Sequence, residues 1–230
     1  MFTPDTEKRV TLFAGHYGSG KTNIAVNYAL WLKTLYSRVS VADLDIVNPY
    51  FRTKDSTEVL ARSGIKLISS PYANSNVDTP ALPAEAYSLL HDTQQAGVID
   101  VGGDDRGALA LGRYSDGILA DGSYEFLFVI SKYRPLTRDA ESTLSVMREI
   151  EAAAHMRFTG IVNNSNIGEI TAAEDVLASV PYAAEISEKA DVPIRMTTVL
   201  KSLCPLLEDK IENIMPLTLY VEQSWAERNE

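Results

Sequence analysis

Gly15-His16-Tyr17-Gly18-Ser19-Gly20-Lys21-Thr22 satisfies G-x-x-x-x-G-K-[ST] at every fixed position. The apolar run Val10-Thr11-Leu12-Phe13-Ala14 leads into it, and Ile24, Tyr28, Trp31 and Leu35 leave it at helical spacing. Strand, glycine turn and helix is the order a phosphate-binding loop needs. The glycines let successive backbone N–H groups turn inward, and the helix N-terminus adds its positive dipole end. Lys21 brings a mobile charge for the β- and γ-phosphates, and the Thr22 hydroxyl suits a Mg²⁺ ion. Thr11 and residues Gly15 to Thr22 are therefore the first candidate nucleotide contacts.

At 230 residues the chain suits one large nucleotide-binding domain, residues 1–230, because a doubly wound sheet commonly reaches this length around a continuous core. No linker, repeat or low-complexity tract divides it. Lys and Arg total 21 against 31 Asp and Glu, a formal charge of -10. A surface of that sign repels phosphate backbones and argues against nucleic acid as a partner. Lys132, Arg134 and Arg138 form a local basic grouping, read as solvated loop charge. No apolar run approaches the ~20 residues that cross a bilayer. The start, Met1-Phe2-Thr3-Pro4-Asp5, lacks the basic-then-apolar order of a secretory signal. The expectation is a cytoplasmic protein with no membrane partner. The single cysteine, Cys204, excludes an internal disulfide or a several-thiolate metal centre within one chain and reads as a small buried hydrophobe.

Beyond the loop, short apolar runs alternate with helical stretches, the pattern of parallel strands joined by crossover helices. Strands are expected over Arg9 to Ala14, Val39 to Asp43, Ile65 to Ile68, Gly97 to Val101, Glu125 to Ile130 and Phe158 to Asn163. Helices are expected over Lys21 to Leu35, Pro83 to His91, Arg106 to Leu119, Thr137 to Ala154 and Thr171 to Ser179. Near-continuous apolar strands such as Phe126-Leu127-Phe128-Val129-Ile130 need cover on both faces. The fold class is therefore α/β: a doubly wound, mostly parallel sheet with helices on both faces. Asp191 to Leu200 reads as a further edge strand, and Pro205 to Glu230 as helical stretches interrupted by Pro216.

Ligands of such sheets bind outside the carboxyl ends of the strands. The second strand ends in Asp43-Leu44-Asp45, two carboxylates that project to the same side of an extended chain. Asp43 is assigned to the Mg²⁺ shell, and Asp45 to orienting the water that attacks the γ-phosphorus, with Lys21 the other catalytic candidate. The fourth strand gives Asp100-Val101-Gly102-Gly103, a metal-shell carboxylate followed by backbone N–H groups suited to a γ-phosphate. The sixth ends in Asn163-Asn164-Ser165-Asn166. Asn163 and Asn164 carry amides that match the adenine edge, and the aspartate of a guanine-reading N-K-x-D segment is missing. ATP with Mg²⁺ is the expected ligand pair.

Together the glycine loop, the D-x-D after strand two, the D-x-G-G after strand four and the asparagine pair after strand six resemble the MinD/ParA-like P-loop ATPases of the SIMIBI class. That group also contains nitrogenase iron protein and cobyrinate diamide synthase-type domains. The resemblance spans residues 9 to 166. It implies Mg-dependent ATP binding and a nucleotide-dependent homodimer that sandwiches two ATP molecules. In that family the loop usually reads K-G-G-x-G-K-[ST], the first lysine reaching across the dimer. Here His16 holds the lysine position and Tyr17 the following glycine position. Either His16 acts as a cation beside the phosphates, or another residue such as Arg52 or Arg106 carries the role. One cysteine cannot build the iron protein's bridging cluster, and the acidic end, with Glu222, Glu227 and Glu230, lacks MinD's basic membrane helix.

The resulting expectation is an ATP-hydrolysing switch with an unknown protein partner. The alternative is a small-molecule ATP-dependent enzyme, a kinase or a carboxylate-activating ligase resembling dethiobiotin synthetase. In that case the segment Ser69 to Leu82, with Tyr72, Asn74, Asn76 and Asp78, would bind the substrate.

Overall fold

The computed structural model describes residues 2, 7–44, 54–69, 89, 92, 94–103 and 105–220. Eight strands form one sheet: β1 (Val10–Ala14), β2 (Val39–Leu44), β3 (Lys66–Ser69), β4 (Ala96–Val101), β5 (Tyr124–Ile130), β6 (Gly160–Asn163), β7 (Ile194–Leu200) and β8 (Ile214–Leu217). The order across the sheet is β3-β2-β4-β1-β5-β6-β7-β8, and every pair is parallel. The helices are α1 (Lys21–Leu32), α2 (Lys54–Arg62), α3 (Asp105–Gly112), α4 (Ser115–Asp121), α5 (Ala140–Ala154), α6 (Ala173–Ala190) and α7 (Cys204–Leu207).

Alternation along the central strands sends their side chains to two large apolar clusters, and a third, smaller one gathers Val176, Val199, Cys204, Leu207, Ile211 and Ile214. Val10, Leu12 and Ala14 of β1 and Phe126, Phe128 and Ile130 of β5 join one cluster, with Ala108, Leu111, Ile118, Leu144, Met147, Ile150, Tyr182 and Ile186 from α3, α4, α5 and α6. Phe13, Leu127 and Val129, the residues between, join a second with Ile24, Ala25, Tyr28 and Leu32 of α1 and Leu60 of α2. Both faces of the central strands are thus covered, as their unbroken apolar sequence requires.

The chain's last third departs from the sequence reading. Ile194–Leu200 is a strand but not an edge, because β8 pairs beyond it, with Val199 opposite Pro216. The described part of Pro205 to Glu230 is a single short helix and a strand, so Pro216 does not interrupt helices. The carbonyls of Asn213 and Leu217 accept from β7 and its following residue, and this alternation turns Pro216 outward, where no N–H is required. Helix α6 runs on through Pro181 to Ala190, because Tyr182, Ala183 and Ile186 continue its buried face. The expected helix over Arg106 to Leu119 is broken in two at Arg113-Tyr114. The expected helix from Pro83 to His91 lies outside the described residues except for the buried Leu89.

Candidate functional site

β1 lies between β4 and β5, and its crossover to β2 leaves toward one edge while β5 to β8 build toward the other. The glycine loop therefore sits where the winding reverses, the place such sheets open a crevice. It is packed tightly against its surroundings. A Cβ on Gly15 would collide with the Val129 carbonyl of β5, and Gly18 and Gly20 hold left-handed backbones, with φ 75° and 86°. Gly20 is the N-cap of α1, and no side chain caps this helix, so its first N–H groups face the loop.

Three strand ends converge here. Phe13 of β1 is in register with Asp100 of β4, and Asp100 with Asp43 of β2. The Thr22 hydroxyl donates to Asp100 Oδ2 at 2.7 Å. Asp43, Asp100 and Thr22 also line one cleft of about 30 Å³, with Ser56 and Thr57 of α2 on its far wall. Lys21 is 7% exposed, and its Nζ donates to the His16 carbonyl at 3.3 Å. Gly103 presses on both: a Cβ there would lie 2.8 Å from Lys21 Nζ and 2.8 Å from Tyr17 Cα. Gly102 is buried under α3, where a Cβ on Gly107 would come within 2.7 Å of its backbone. The structure thus brings Gly15 to Thr22, Asp43, Asp100, Gly102 and Gly103 together at the carboxyl ends of β1, β2 and β4.

Oxygen donors of this kind, one hydroxyl and two carboxylates, suit a Mg²⁺ ion, which takes few protein ligands and completes its shell with water and phosphate. Among the described residues no group of three or more His, Cys, Asp or Glu side chains forms an all-protein metal cage.

Other expected contacts are placed differently. Thr11 is 1% exposed, and its hydroxyl donates to Tyr28 OH at 3.2 Å, inside the core beneath α1 instead of at the loop. Asn163 is fully buried: its amide donates to Ser179 Oγ of α6 at 2.9 Å, and its carbonyl accepts from Ser165 Oγ at 2.7 Å. Asn164 donates to the Ser19 carbonyl at 2.6 Å, while its Oδ1 accepts from Thr198 and from Asn166. In this arrangement Asn163 and Asn164 fasten the end of β6 to α6 and to the glycine loop, and both their amides are engaged within the protein. Ser19 is 1% exposed, so its side chain is turned inward. His16 Nδ1 stands 2.9 Å from the Tyr17 carbonyl, which requires a hydrogen on that nitrogen. Asp45, Arg52 and the segment from Ser70 to Leu82 lie outside the described residues, as does the Arg106 side chain.

Arg134 escapes the sequence reading. Of the basic grouping, Lys132 Nζ donates to the Ala178 carbonyl at 2.8 Å, and the Arg138 side chain is 77% exposed beside Asp139. Arg134 instead folds onto the glycine loop, where a Cβ on Gly18 would be 3.6 Å from its Nε. Desolvation there holds its pKa below the ordinary arginine range, partly offset by the nearby Tyr17 hydroxyl. The one local signal is Pro135, which keeps Arg134 extended at φ -109° and ψ 137°.

No protein-family model matches the chain, and a search of curated proteins finds no match. Solved structures do match. FtsY from Mycoplasma mycoides aligns with a TM-score of 0.54 at 17% identity, over 85% of this chain and 61% of that one. Cell division protein FtsY from Thermotoga maritima gives 0.56 at 20% identity, over 86% and 63%. The signal recognition particle 54 kDa protein from Aeropyrum pernix, in complex with GDP, gives 0.54 at 16% identity, over 85% and 42%. The chain spans less than two thirds of the length of these proteins. At such identities the likeness carries the fold, the α/β fold of P-loop nucleotide-binding proteins. Of these three, the Aeropyrum pernix protein holds GDP.

Proposed function

We propose that this protein is a Mg-dependent nucleoside triphosphate switch that binds and hydrolyses ATP. The observation that carries the reading is the pairing of Thr22 with Asp100 at 2.7 Å beneath a glycine loop whose Lys21 ammonium lies between the His16 carbonyl and Gly103. Inward N–H groups of the loop and the start of α1 would hold the phosphates, and Lys21 would neutralise the β- and γ-oxygens. Thr22, Asp43 and Asp100 would hold Mg²⁺, which when bound supplies charge against the phosphate oxygens. Asp45, two residues past Asp43, keeps the water-orienting role assigned from sequence.

ATP is preferred to GTP on the missing aspartate of the N-K-x-D pattern. At the end of β6 the position that would carry a guanine-reading carboxylate is Asn166, 6% exposed and bonded to Asn164 and Gly168. A nucleotide-dependent homodimer fits the exposed Tyr17 (46%) and Leu136 (57%), apolar side chains on two loops that border the site. A partner that responds to the nucleotide state belongs to the same reading.

Calorimetric titration with ATP and GTP in the presence of Mg²⁺, followed by a phosphate-release assay and light scattering, tests this. Wild-type protein is expected to bind ATP more tightly than GTP, to hydrolyse it slowly and to gain mass with a non-hydrolysable analogue. Lys21→Ala is expected to lose about 100-fold or more in affinity. Binding of GTP alone overturns the choice of base, and binding of neither overturns the function.

A further inference from the structure

We propose that Arg134 is a phosphate-contacting residue of this site, its guanidinium set over Gly18 to bind the polyphosphate of a nucleoside di- or triphosphate. The inference rests on the nucleotide reading above and adds a residue that belongs to neither the glycine loop nor the strand-end carboxylates.

The position of Arg134 is built, not incidental. Residues 131–137 follow β5 and are tied down along their length. Thr137 Oγ1 donates to the Ser131 carbonyl at 2.8 Å, and the Tyr182 hydroxyl of α6 donates to the Thr137 carbonyl at 2.6 Å. The Lys132 N–H donates to Ser165 Oγ at 3.0 Å, and the Tyr133 hydroxyl donates to the Asp175 carbonyl at 2.7 Å. Pro135 fixes Arg134 in extended backbone. The backbone around Arg134 is thus held by α6 and by Ser165, two residues past β6. Its side chain lies across the glycine loop at Gly18.

At Gly18 it faces a residue without a side chain. Gly18 leaves the guanidinium against bare backbone, with Nε 3.6 Å and Cζ 3.8 Å from where a Cβ would stand. A larger residue would keep the cation from the loop; glycine lets it approach the surface along which inward N–H groups are presented. A planar guanidinium offers a fork of N–H donors that matches two phosphate oxygens, whereas an imidazole at His16, with Nδ1 on the Tyr17 carbonyl, offers at most one nitrogen. Partial desolvation strengthens the attraction of such a cation for an anion. The other basic residues of the segment are directed elsewhere, Lys132 to Ala178 and Arg138 to solvent.

The alternative is that Arg134 only braces the glycine loop, and the two roles separate experimentally. Full-length wild type, R134Q, R134K and K21A are titrated with ATP, GTP, adenosine and inorganic pyrophosphate, alongside thermal unfolding without ligand. R134Q is expected to weaken pyrophosphate and triphosphate binding about tenfold. It should leave adenosine binding unchanged and the unliganded midpoint within about 2 °C. R134K, a point charge without the fork, is expected to recover part of the loss. Pyrophosphate and triphosphate binding by R134Q equal to wild type overturns the proposal, and so does a loss matched by a fallen unliganded midpoint, the mark of a brace. Wild-type protein that, like K21A, binds no phosphate ligand overturns the nucleotide reading as well. Binding by wild type with no effect of R134Q overturns this inference alone.

Discussion

Asn164 joins two distant stretches of chain through one side chain: its Nδ2 holds the Ser19 carbonyl at 2.6 Å, and its Oδ1 takes hydrogens from Thr198 and Asn166. It is 3% exposed, so truncation strands those partners away from water. Asn164→Ala is expected to destabilise the protein by about 2–3 kcal/mol in urea unfolding. It should also weaken ATP binding by loosening the loop. Asn164→Asp keeps the acceptor and loses the donor, so unchanged stability in both variants would show that the loop does not depend on this bond. The glycines, Lys21 and Thr22 are readable from sequence because their roles follow from a local pattern and local backbone geometry. The roles of Asn164 and Arg134 are not, because the atoms they meet lie far away in sequence, at Ser19 in one case, 145 residues off, and at Gly18 in the other. Asn163 and Asn164 looked like base-reading amides because an amide's donor and acceptor suit a base edge and a buried seam equally well. Thr11 was drawn in by its strand, whose alternation turns it under α1.

Helix α5 begins at Asp139, an extended N-cap whose carboxylate accepts from the Ser142 N–H at 2.9 Å and from the Ser142 hydroxyl at 2.8 Å. The backbone N–H of Ser142 is the largest influence holding its pKa below the ordinary value of 3.8, with the Ser142 hydroxyl next. A carboxylate with a lowered folded pKa adds stability that is present above 3.8 and disappears as the pH falls through the lower folded value. Asp139→Ala should therefore lower the thermal midpoint at pH 7, and the gap between variant and wild type should close on acidification below that range. A gap that stays constant with pH would show that the cap works without its charge. The Tyr182 phenol of α6, by contrast, is pushed up to about 12 by burial, eased by its bonds to Thr143 and Thr137, and stays neutral across that window. At this scale the first six strands were legible to within two residues at either end, since a short, mostly apolar run between turn signals has few other uses. Helix ends were less so: Pro181 signals a stop that a buried apolar face overrides, and β8 is too short and too interrupted by Pro216 to register as a strand.

Across the whole molecule the sheet separates two apolar layers that share its backbone. Phe13 belongs to one and Phe128 to the other, both fully buried. If 1–230 is one cooperative unit, Phe13→Ala and Phe128→Ala should each lower the same single urea transition by about 3–5 kcal/mol. Two separate transitions would show that the layers unfold independently and that the chain is not one domain. The doubly wound parallel plan was legible because the alternation of apolar strands and helices leaves few other arrangements. The strand order was not, since pairing is decided by contacts between segments far apart in sequence. Among the described residues β8 is an outermost strand of the sheet. Pro216 presents no donor to the outside there, and the outward Ile214 carbonyl is already taken by the Phe2 N–H at 2.8 Å. A row of free backbone groups is what lets one molecule template strands onto another. By removing one group and covering its neighbour, this margin of the sheet discourages edge-to-edge aggregation.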